Sequence, residues 1–396
     1  MQLLILRCTF VLLCFATTRI SFAQEDSTEH CATDLRHRAL LNADPGYAER
    51  FGALENQVNT VMGQIQTNDL NSSQGLIMGD TLEIPIVVHV IHSGQALGVG
   101  ANISDSQIIY AVEALNDRYR MTAGTWGASG NGIDTEIQFV LAKRDPDCNS
   151  SNGIVRVNGS GVTDYSNEGL SVGLGAGADE LEIKDLSRWP ATDYLNVWVV
   201  TEIENNNGGG GIQGYAYFPG VSRLLDGLVI MHTAFGVTGT VNSWNNNNRT
   251  FAHEVGHYFS LYHTFEGDSN AASCPPTNNG CGTGLGDCCA DIEPHIRAAS
   301  NCPSGTNPCT STSWGDAPTN YMNYSSQTCA NMFSADQSDR MRASLLGARH
   351  SLLSSLGGVA PSGAAVASAA CTPSSTSTAN GFPMGIINLS FEGLDV

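Results

Sequence analysis

The sequence has 396 residues, of which 41% are hydrophobic, so it is long enough for one large domain with a sizeable core and processed ends. Its 38 acidic residues outnumber 18 basic ones, which gives a formal charge of −20 at pH 7. Because nucleic-acid phosphates bind surfaces rich in lysine and arginine, this balance argues against a nucleic-acid partner. After residue 23, no apolar segment reaches the length of a transmembrane helix, which argues against stable membrane insertion.

Residues 1–23 have the pattern of a secretory signal peptide. Arg7 supplies positive charge, residues 8–16 form a short apolar core, and residues 21–23 offer small side chains before a cut. Of the 12 cysteines, two fall in this segment and seven crowd between Cys274 and Cys329, as is typical of disulfides in an exported, loop-rich region. The mature protein is therefore expected to be secreted.

Residues 24–80 are predicted to be an N-terminal pro-segment. Residues 35–65 are rich in helix formers with spaced apolar side chains, which predicts amphipathic helices broken near Asp44-Pro45-Gly46. The polar stretch at residues 67–80 is the expected linker at which this segment is cut.

Residues 81–355 are predicted to form the main domain, with strands and helices in an α/β pattern. Ser104 and Asp105 can cap a helix that reaches about Arg120. Strands are expected at residues 84–91, 137–142, 195–201 and 228–232. Residues 356–396 are predicted to be a low-complexity tail, because residues 357–380 are rich in Gly, Ala, Ser and Thr.

The strongest motif lies at residues 249–263, which read R-T-F-A-H-E-V-G-H-Y-F-S-L-Y-H. On a helix, His253 and His257 project from one face, about one turn apart, so both imidazoles can hold one metal ion. Glu254 is turned toward the side where a metal-bound water would lie, and its carboxylate can take the proton of that water. His263 can be a third ligand only if the chain turns sharply after His257.

This motif resembles that of the metzincin zinc metallopeptidases, H-E-x-x-H-x-x-G-x-x-H followed by a methionine-containing turn. The stretch H-E-V-G-H-Y is most similar to the pappalysin family, and Asn320-Tyr321-Met322-Asn323-Tyr324 resembles the Met-turn of that family. The resemblance extends from residue 84 to about residue 346. It implies a metzincin-like α/β catalytic domain with a twisted mixed sheet, an active-site helix and an irregular, disulfide-rich lower subdomain.

The same resemblance implies a secreted zinc endopeptidase that hydrolyses peptide bonds in proteins or peptides. When the family's motif is carried over to this sequence, the zinc ligands would be His253, His257 and His263. Glu254 would be the general base that activates the zinc-bound water, and then the proton donor to the leaving amine. Met322 would form an apolar floor below the metal, and Tyr324 would stabilise the oxyanion.

The sequence departs from the family motif at Ser260, where the family has glycine. Glycine suits this place because the chain must leave the helix abruptly, often with a positive φ. Serine adopts such a conformation at a cost on the order of 1 kcal/mol. We expect the turn to survive, because ligation of zinc by His263 would offset that cost.

Cys31 lies in the predicted pro-segment, apart from the other cysteines. In related zymogens a pro-segment cysteine occupies the open zinc position, and a thiolate is a good zinc ligand. A disulfide with Cys148 or Cys371 is the alternative, since exported cysteines usually pair. The resemblance also suggests the disulfides Cys274–Cys309 and Cys302–Cys329. Cys281 with Cys288 or Cys289 is then a local possibility.

The linker has an unusual feature for a family in which some members cleave beside basic residues. No lysine or arginine occurs between Arg50 and Arg118. Either this enzyme lacks a basic preference, or another protease matures it, or the cut falls near Arg50.

Five carboxylates crowd into the loop-rich region after the motif. Calcium favours such clusters, and some relatives bind calcium in this region. The spacing of these carboxylates matches no known calcium loop. A calcium site and a solvated acidic loop without a metal are therefore equally good interpretations. These residues are Glu266, Asp268, Asp287, Asp291 and Glu293.

Two other classes of function share the zinc chemistry. An exported zinc-containing binding protein that has lost catalysis is supported only by Ser260 and is opposed by the intact Glu254. A zinc amidase or deacetylase would act on non-protein substrates and leave unfolded proteins intact.

Overall fold

The computed structural model describes residues 30–67, 80–127, 130–245, 247–275, 286–298 and 301–361. The predicted signal peptide, and most of the predicted linker and tail, lie outside these ranges. The helices are α1 Thr33–Ala43, α2 Pro45–Gln66, α3 Asp105–Tyr119, α4 Tyr165–Glu168, α5 Glu180–Asp185, α6 Arg249–Tyr258 and α7 Ala335–Leu346, with short 3-10 helices at His232–Ala234, Ala317–Thr319 and His350–Ser354. The strands are β1 Leu82–His92, β2 Ile137–Leu141, β3 Ile154–Asn158, β4 Leu195–Val200, β5 Gly214–Ala216 and β6 Leu228–Met231.

A mixed six-stranded sheet organises the main domain, with the strand order β2-β1-β4-β6-β5. The long strand β1 pairs in parallel with β2 through its first half and with β3 through its second half, while β4 lies on its other side. Its near-continuous apolar run is typical of a strand that is covered on both faces. Strand β5 forms the edge of the sheet and runs antiparallel to β6. The predicted mixed α/β architecture is therefore confirmed.

All four predicted strands are present, each within two residues of its predicted bounds. The predicted helix also forms as α3, where the Ser104 hydroxyl accepts a hydrogen bond from the Gln107 amide at 3.2 Å and caps the first turn. Strands β3 and β5 were not predicted. Strand β5 has three residues and begins at Gly214, and β3 is partly exposed, so neither carries a strong local signal.

The N-terminal segment, residues 30–67, contains the two predicted helices. They separate at Asp44, and Pro45 opens α2, where the missing backbone N–H of proline costs no helical hydrogen bond. The break near Asp44-Pro45-Gly46 is thus confirmed. Helix α2 packs its apolar face against α7 through Val58, Val61, Met62, Ile65 and Ala343.

A buried ion pair joins the same two helices. Arg340 on α7 is fully buried, and its Nη2 lies 2.6 Å from Oε1 of Glu55 on α2. The Arg340 Nε donates to the carbonyl of Ser260 at 2.7 Å. The guanidinium therefore connects the N-terminal segment to the chain that follows α6.

The irregular lower part carries the two disulfides that the resemblance suggested, Cys274–Cys309 and Cys302–Cys329, and both are confirmed. Cys281, half of the suggested local pair, lies outside the described residues. Among the helices that the structure describes, none has the length and apolar composition needed to cross a membrane.

Candidate active site

Helix α6 carries the motif beneath β5 and β6. One face, with Phe251 and Val255, packs into the main core, while the opposite face presents the polar motif residues. A Cβ at Gly256 would lie 2.5 Å from Sδ of Met322, so any larger residue there would force the Met322 side chain to shift. Met322 therefore packs directly on the helix backbone, in the floor position that the resemblance gave it.

The sharp turn after α6 is present and is centred on Ser260, whose φ is +72°. The amide of Leu261 donates to the Gly256 carbonyl at 3.0 Å and the Ser260 amide to the His257 carbonyl at 2.9 Å, which together make a Schellman C-cap. The Ser260 hydroxyl also lies 2.9 Å from that of Ser344. This hydrogen bond stabilises a serine where the family has glycine.

The turn brings His263 to His253 and His257, and all three side chains are buried. The Nε2 atoms lie 3.1 Å apart for His253 and His257, and 3.2 Å apart for each of the other two pairs. A tetrahedral zinc site with Zn–N distances of about 2.0–2.1 Å has nitrogen–nitrogen edges of about 3.3 Å. The spacing of these donors therefore fits a zinc-sized ion.

Hydrogen bonds on the far side of each ring fix the tautomers. The Nδ1 of His253 lies 2.7 Å from the Tyr321 carbonyl and the Nδ1 of His257 lies 2.7 Å from the Leu261 carbonyl, so both atoms must donate. Burial lowers the pKa of His253 well below its usual range and that of His257 to about 3, which keeps both rings neutral. The unprotonated Nε2 lone pairs of His253 and His257 then face each other across 3.1 Å, an arrangement that repels itself unless a cation is bound.

The third ring has a partner in the N-terminal segment. The His263 Nδ1 lies 2.8 Å from Oδ2 of Asp34 on α1. Burial disfavours the charged form of Asp34, but the charge and hydrogen bond of His263 outweigh it and hold the Asp34 pKa below its usual range. A carboxylate on Nδ1 orients a metal-binding imidazole and raises its basicity.

Glu254 is fully buried beside the three rings. Its Oε2 lies 3.3 Å from Sγ of Cys31 and 3.5 Å from the hydroxyl of Thr33. Burial is the main cause that raises the pKa of Glu254 to about 8, although hydrogen bonds from these two side chains lower it. The Tyr324 hydroxyl is 3.4 Å from the Cys31 carbonyl, so the structure brings both predicted catalytic residues close to the predicted ligands.

The N-terminal segment crosses this site as an extension of the sheet. The Gln213 amide donates to the His30 carbonyl at 2.9 Å, and the Ala32 amide donates to the Gly214 carbonyl at 3.1 Å. Cys31 thereby forms a parallel bridge with the edge strand β5, and its sulfur lies within 4.8 Å of the donor atoms of all three histidines. Cys31 forms no disulfide. The alternative prediction, a disulfide between Cys31 and either Cys148 or Cys371, is therefore wrong.

Sequence reasoning missed several residues that the fold brings to this site. Asp34 and Thr33 lie close to Cys31 in the chain, and that proximity was their only signal. Gln213 and Arg249 line a cavity beside Glu254. Arg249 begins the motif stretch at residues 249–263, but no chemical role was predicted for either residue.

The predicted calcium cluster does not converge in the part of the chain that the structure describes. Asp268 binds Nη2 of Arg297 at 2.8 Å, and Asp291 accepts from the Ser334 hydroxyl at 2.8 Å. The loop at residues 276–285 lies outside the described residues. Calcium binding remains a prediction from sequence.

Comparisons with known proteins agree with this geometry. A family model described as pregnancy-associated plasma protein-A matches residues 179–346, which include α6 and the Met-turn. An extracellular metalloprotease of Colletotrichum graminicola is 36% identical over 273 residues, which cover 67% of this chain and 77% of that protein. One of Sordaria macrospora is 30% identical over 318 residues, which cover 79% of this chain and 86% of that protein.

Solved structures of promirolysin and mature mirolysin are similar to this chain. A promirolysin mutant of Tannerella forsythia matches with a TM-score of 0.64 and 27% identity, covering 85% of this chain and 100% of its own. Mature mirolysin of the same organism, in complex with a cleaved peptide, matches with a TM-score of 0.55 and 30% identity. The match covers 72% of this chain and 100% of the mirolysin chain. On these grounds the chain belongs to the pappalysin family of metzincin metallopeptidases and is a metalloendopeptidase.

Proposed function

We propose that this chain is a secreted zinc endopeptidase made as a latent precursor. The observation that carries this proposal is the convergence of three histidine Nε2 atoms beside a buried glutamate and a buried cysteine. The precursor would carry a signal peptide at residues 1–23, a pro-segment at residues 24–80, a catalytic domain at residues 81–355 and a tail at residues 356–396.

The proposed zinc ligands are His253, His257 and His263. Their Nε2 donors suit zinc, and the three ligands leave a fourth position open. Zinc bound here would lower the pKa of a coordinated water toward neutrality and polarise the carbonyl of the peptide bond.

Glu254 would take the proton from the attacking water and deliver it to the leaving amine. Its side chain is fully buried next to Cys31, whose sulfur lies among the three histidines, so the carboxylate faces the place of a zinc-bound water. The Tyr324 hydroxyl would donate a hydrogen bond to the oxyanion. In the precursor this hydroxyl contacts the Cys31 carbonyl, so a substrate carbonyl would replace a contact of the N-terminal segment.

The N-terminal segment would keep the precursor latent. Cys31 would act as the fourth zinc ligand and exclude water, since its sulfur lies among the three histidines. The solved promirolysin chain covers 85% of this chain and mature mirolysin only 72%, which supports the view that the N-terminal part corresponds to a pro-segment. Relatives named as extracellular metalloproteases support secretion.

Proteolysis of a denatured protein by material freed of the N-terminal segment tests the proposal. We expect Glu254→Ala to lower kcat by about a thousandfold or more while zinc content stays at one ion per chain. A zinc chelator should abolish cleavage, and added zinc should restore it. Glu113→Ala, an exposed residue of α3, is the matched control and should cleave like the parent. If folded, zinc-loaded parent protein leaves the substrate intact, the proposal is wrong.

A further inference from the structure

Arg36 of the N-terminal segment lies in a site whose three acceptors belong to the main domain. Its Nη2 donates to Oε2 of Glu180 at 2.7 Å, its Nη1 to the Val172 carbonyl at 3.2 Å and its Nε to the Tyr217 hydroxyl at 2.9 Å. Three nitrogens of one guanidinium thus meet a carboxylate, a carbonyl and a hydroxyl. These acceptors remain with the main domain when the segment is removed.

Glu180 is the charged acceptor of this site. Its side chain is only 4% exposed, and its Oε2 also accepts from the Tyr217 hydroxyl at 2.6 Å. Its Oε1 lies 2.8 Å from Nζ of the buried Lys184. Burial disfavours the carboxylate, but the charges of Lys184 and, to a lesser extent, Arg36 hold the Glu180 pKa below its usual range. Because Lys184 has the larger effect, Glu180 stays ionised after Arg36 has left.

The walls of the site are held by contacts within the main domain. Oε1 of Glu204 accepts from the Val172 amide at 2.6 Å and fixes the loop at residues 170–178. The Lys184 ammonium donates to the Leu225 carbonyl at 2.5 Å, which fixes the partner of Glu180. Neither contact involves the N-terminal segment, so the three acceptors keep their places when it leaves.

Departure of Arg36 leaves these acceptors without its donors. The Tyr217 hydroxyl uses its proton on Glu180, so a lone pair of this oxygen faces the place of the guanidinium. The surrounding surface is acidic, because residues 179–185 contain four carboxylates and one lysine, which sum to −3. Acceptors in an acidic surface suit a cation with several N–H donors.

The course of the N-terminal segment shows where the site lies relative to the three histidines. His30 pairs with Gln213, just before strand β5, and Arg36 reaches Tyr217, just after that strand. Cys31, which lies among the three histidines, comes between them in the chain. The site is therefore beyond the end of β5, on the side of the histidines away from His30.

The distance along this course can be expressed in substrate residues. Five positions separate Cys31 from Arg36, but helix α1 begins at Thr33. Two extended steps of about 3.3 Å and three helical steps of about 1.5 Å give about 11 Å along the chain. An extended peptide covers that distance in about three or four residues.

We propose that the processed enzyme uses Glu180, Tyr217 and the Val172 carbonyl to bind an arginine side chain of its substrate, about three or four residues from the cleaved bond. The inference rests on the proposed function, because the substrate must follow the course along β5 that the N-terminal segment leaves. Arginine is favoured over lysine, since a planar guanidinium can serve three acceptors from fixed directions and an ammonium is a single point charge. In the precursor, Arg36 fills a site that serves substrates after processing.

Paired peptides that carry arginine or citrulline at one position test the inference with processed, zinc-loaded enzyme. Citrulline keeps the shape of arginine but replaces the charged guanidinium by a neutral urea group. The substituted position is moved from about four residues before the cleaved bond to about four residues after it. We expect kcat/KM for arginine to exceed that for citrulline by about tenfold at the third or fourth position on one side of the bond.

Two variants test whether these residues carry the preference. Tyr217→Phe removes one acceptor and keeps the ring, so the ratio of kcat/KM for arginine to that for citrulline should fall by about threefold or more. Glu180→Gln removes the charge and should bring the ratio close to one. Glu180→Gln also leaves the buried Lys184 without its carboxylate, so Tyr217→Phe supplies the test if that variant does not fold. Tyr110→Phe, an exposed residue of α3, is the control and should keep the ratio of the parent.

The outcomes separate the inference from the proposed function. A site that only anchors the precursor would give equal kcat/KM for arginine and citrulline at these positions, which would overturn the inference and leave the proposed function standing. A preference that neither Tyr217→Phe nor Glu180→Gln changes would place the selection elsewhere and would also overturn it. If processed, zinc-loaded enzyme cleaves no peptide of the series and no denatured protein, the proposed function fails and the inference fails with it.

Discussion

Asp34 of the N-terminal segment and His263 of the motif are joined by a 2.8 Å hydrogen bond, although 229 positions separate them in the sequence. The carboxylate holds Nδ1 of the imidazole and thereby directs Nε2 toward the other two histidines. The segment that would block the active site thus also orients one of its candidate zinc ligands. Removal of the segment leaves His263 without this partner.

We therefore expect Asp34→Asn to weaken zinc binding by the precursor by about tenfold or more, since such outer partners of histidine ligands typically contribute 10–100-fold. Competition with a chromogenic chelator measures the dissociation constant. Glu49→Gln, an exposed acidic residue of α2, is the control and should bind zinc like the parent. Equal affinity of Asp34→Asn and the parent would mean that the hydrogen bond does not support the ligand.

Latency gives a second prediction. Cys31→Ala removes the sulfur that faces the three histidines, so water and substrate should reach the proposed zinc site in the uncut precursor. Hydrolysis of a short fluorogenic peptide by intact precursor should rise by about tenfold or more.

The double variant Cys31→Ala, Glu254→Ala separates this activity from contaminating proteases, because it should be inactive. Gel analysis must show that the precursor stays uncut during the assay. An intact Cys31→Ala precursor as inactive as the parent would argue against Cys31 as the latency residue.

The turn at Ser260 gives a third prediction. Both Ser260→Gly and Ser260→Ala lose the hydrogen bond to Ser344, but only alanine keeps a Cβ at a φ of +72°. We expect Ser260→Gly to exceed Ser260→Ala in free energy of unfolding by about 1 kcal/mol.

Denaturant unfolding of zinc-loaded protein measures this difference, in a Glu254→Ala background that prevents self-digestion. The comparison within one pair of variants isolates the backbone strain. Equal stability of the glycine and alanine variants would show that the turn carries no such strain.

The ion pair between Glu55 and Arg340 gives a fourth prediction. Glu55→Ala leaves a fully buried guanidinium without its carboxylate, which should lower the free energy of unfolding of the precursor by about 3 kcal/mol. Glu49→Ala, on the exposed side of the same helix, should change it by less than about 0.5 kcal/mol. Thermal and denaturant unfolding in the Glu254→Ala background provide the measurement. Similar losses in both variants would mean that water already reaches Arg340.

The sequence by itself predicted the features that depend on local pattern. The break at Asp44-Pro45 follows from the chemistry of proline, and the buried strand β1 follows from a continuous apolar run. The spacing of His253 and His257 predicts a shared helical face, and resemblance to a known family supplied His263 and both disulfides.

Only the tertiary structure decided which distant residues meet at the site. Cys31 reaches Glu254 across 223 positions because the N-terminal segment adds to the edge strand β5, a three-residue strand without a local signal. The same placement brings Asp34 to His263, and the packing of the Met-turn beside α6 places the buried Arg249 side chain against the Asn323 carbonyl. Such contacts depend on how separate segments pack, and periodicity or spacing along the chain carries no information about that packing.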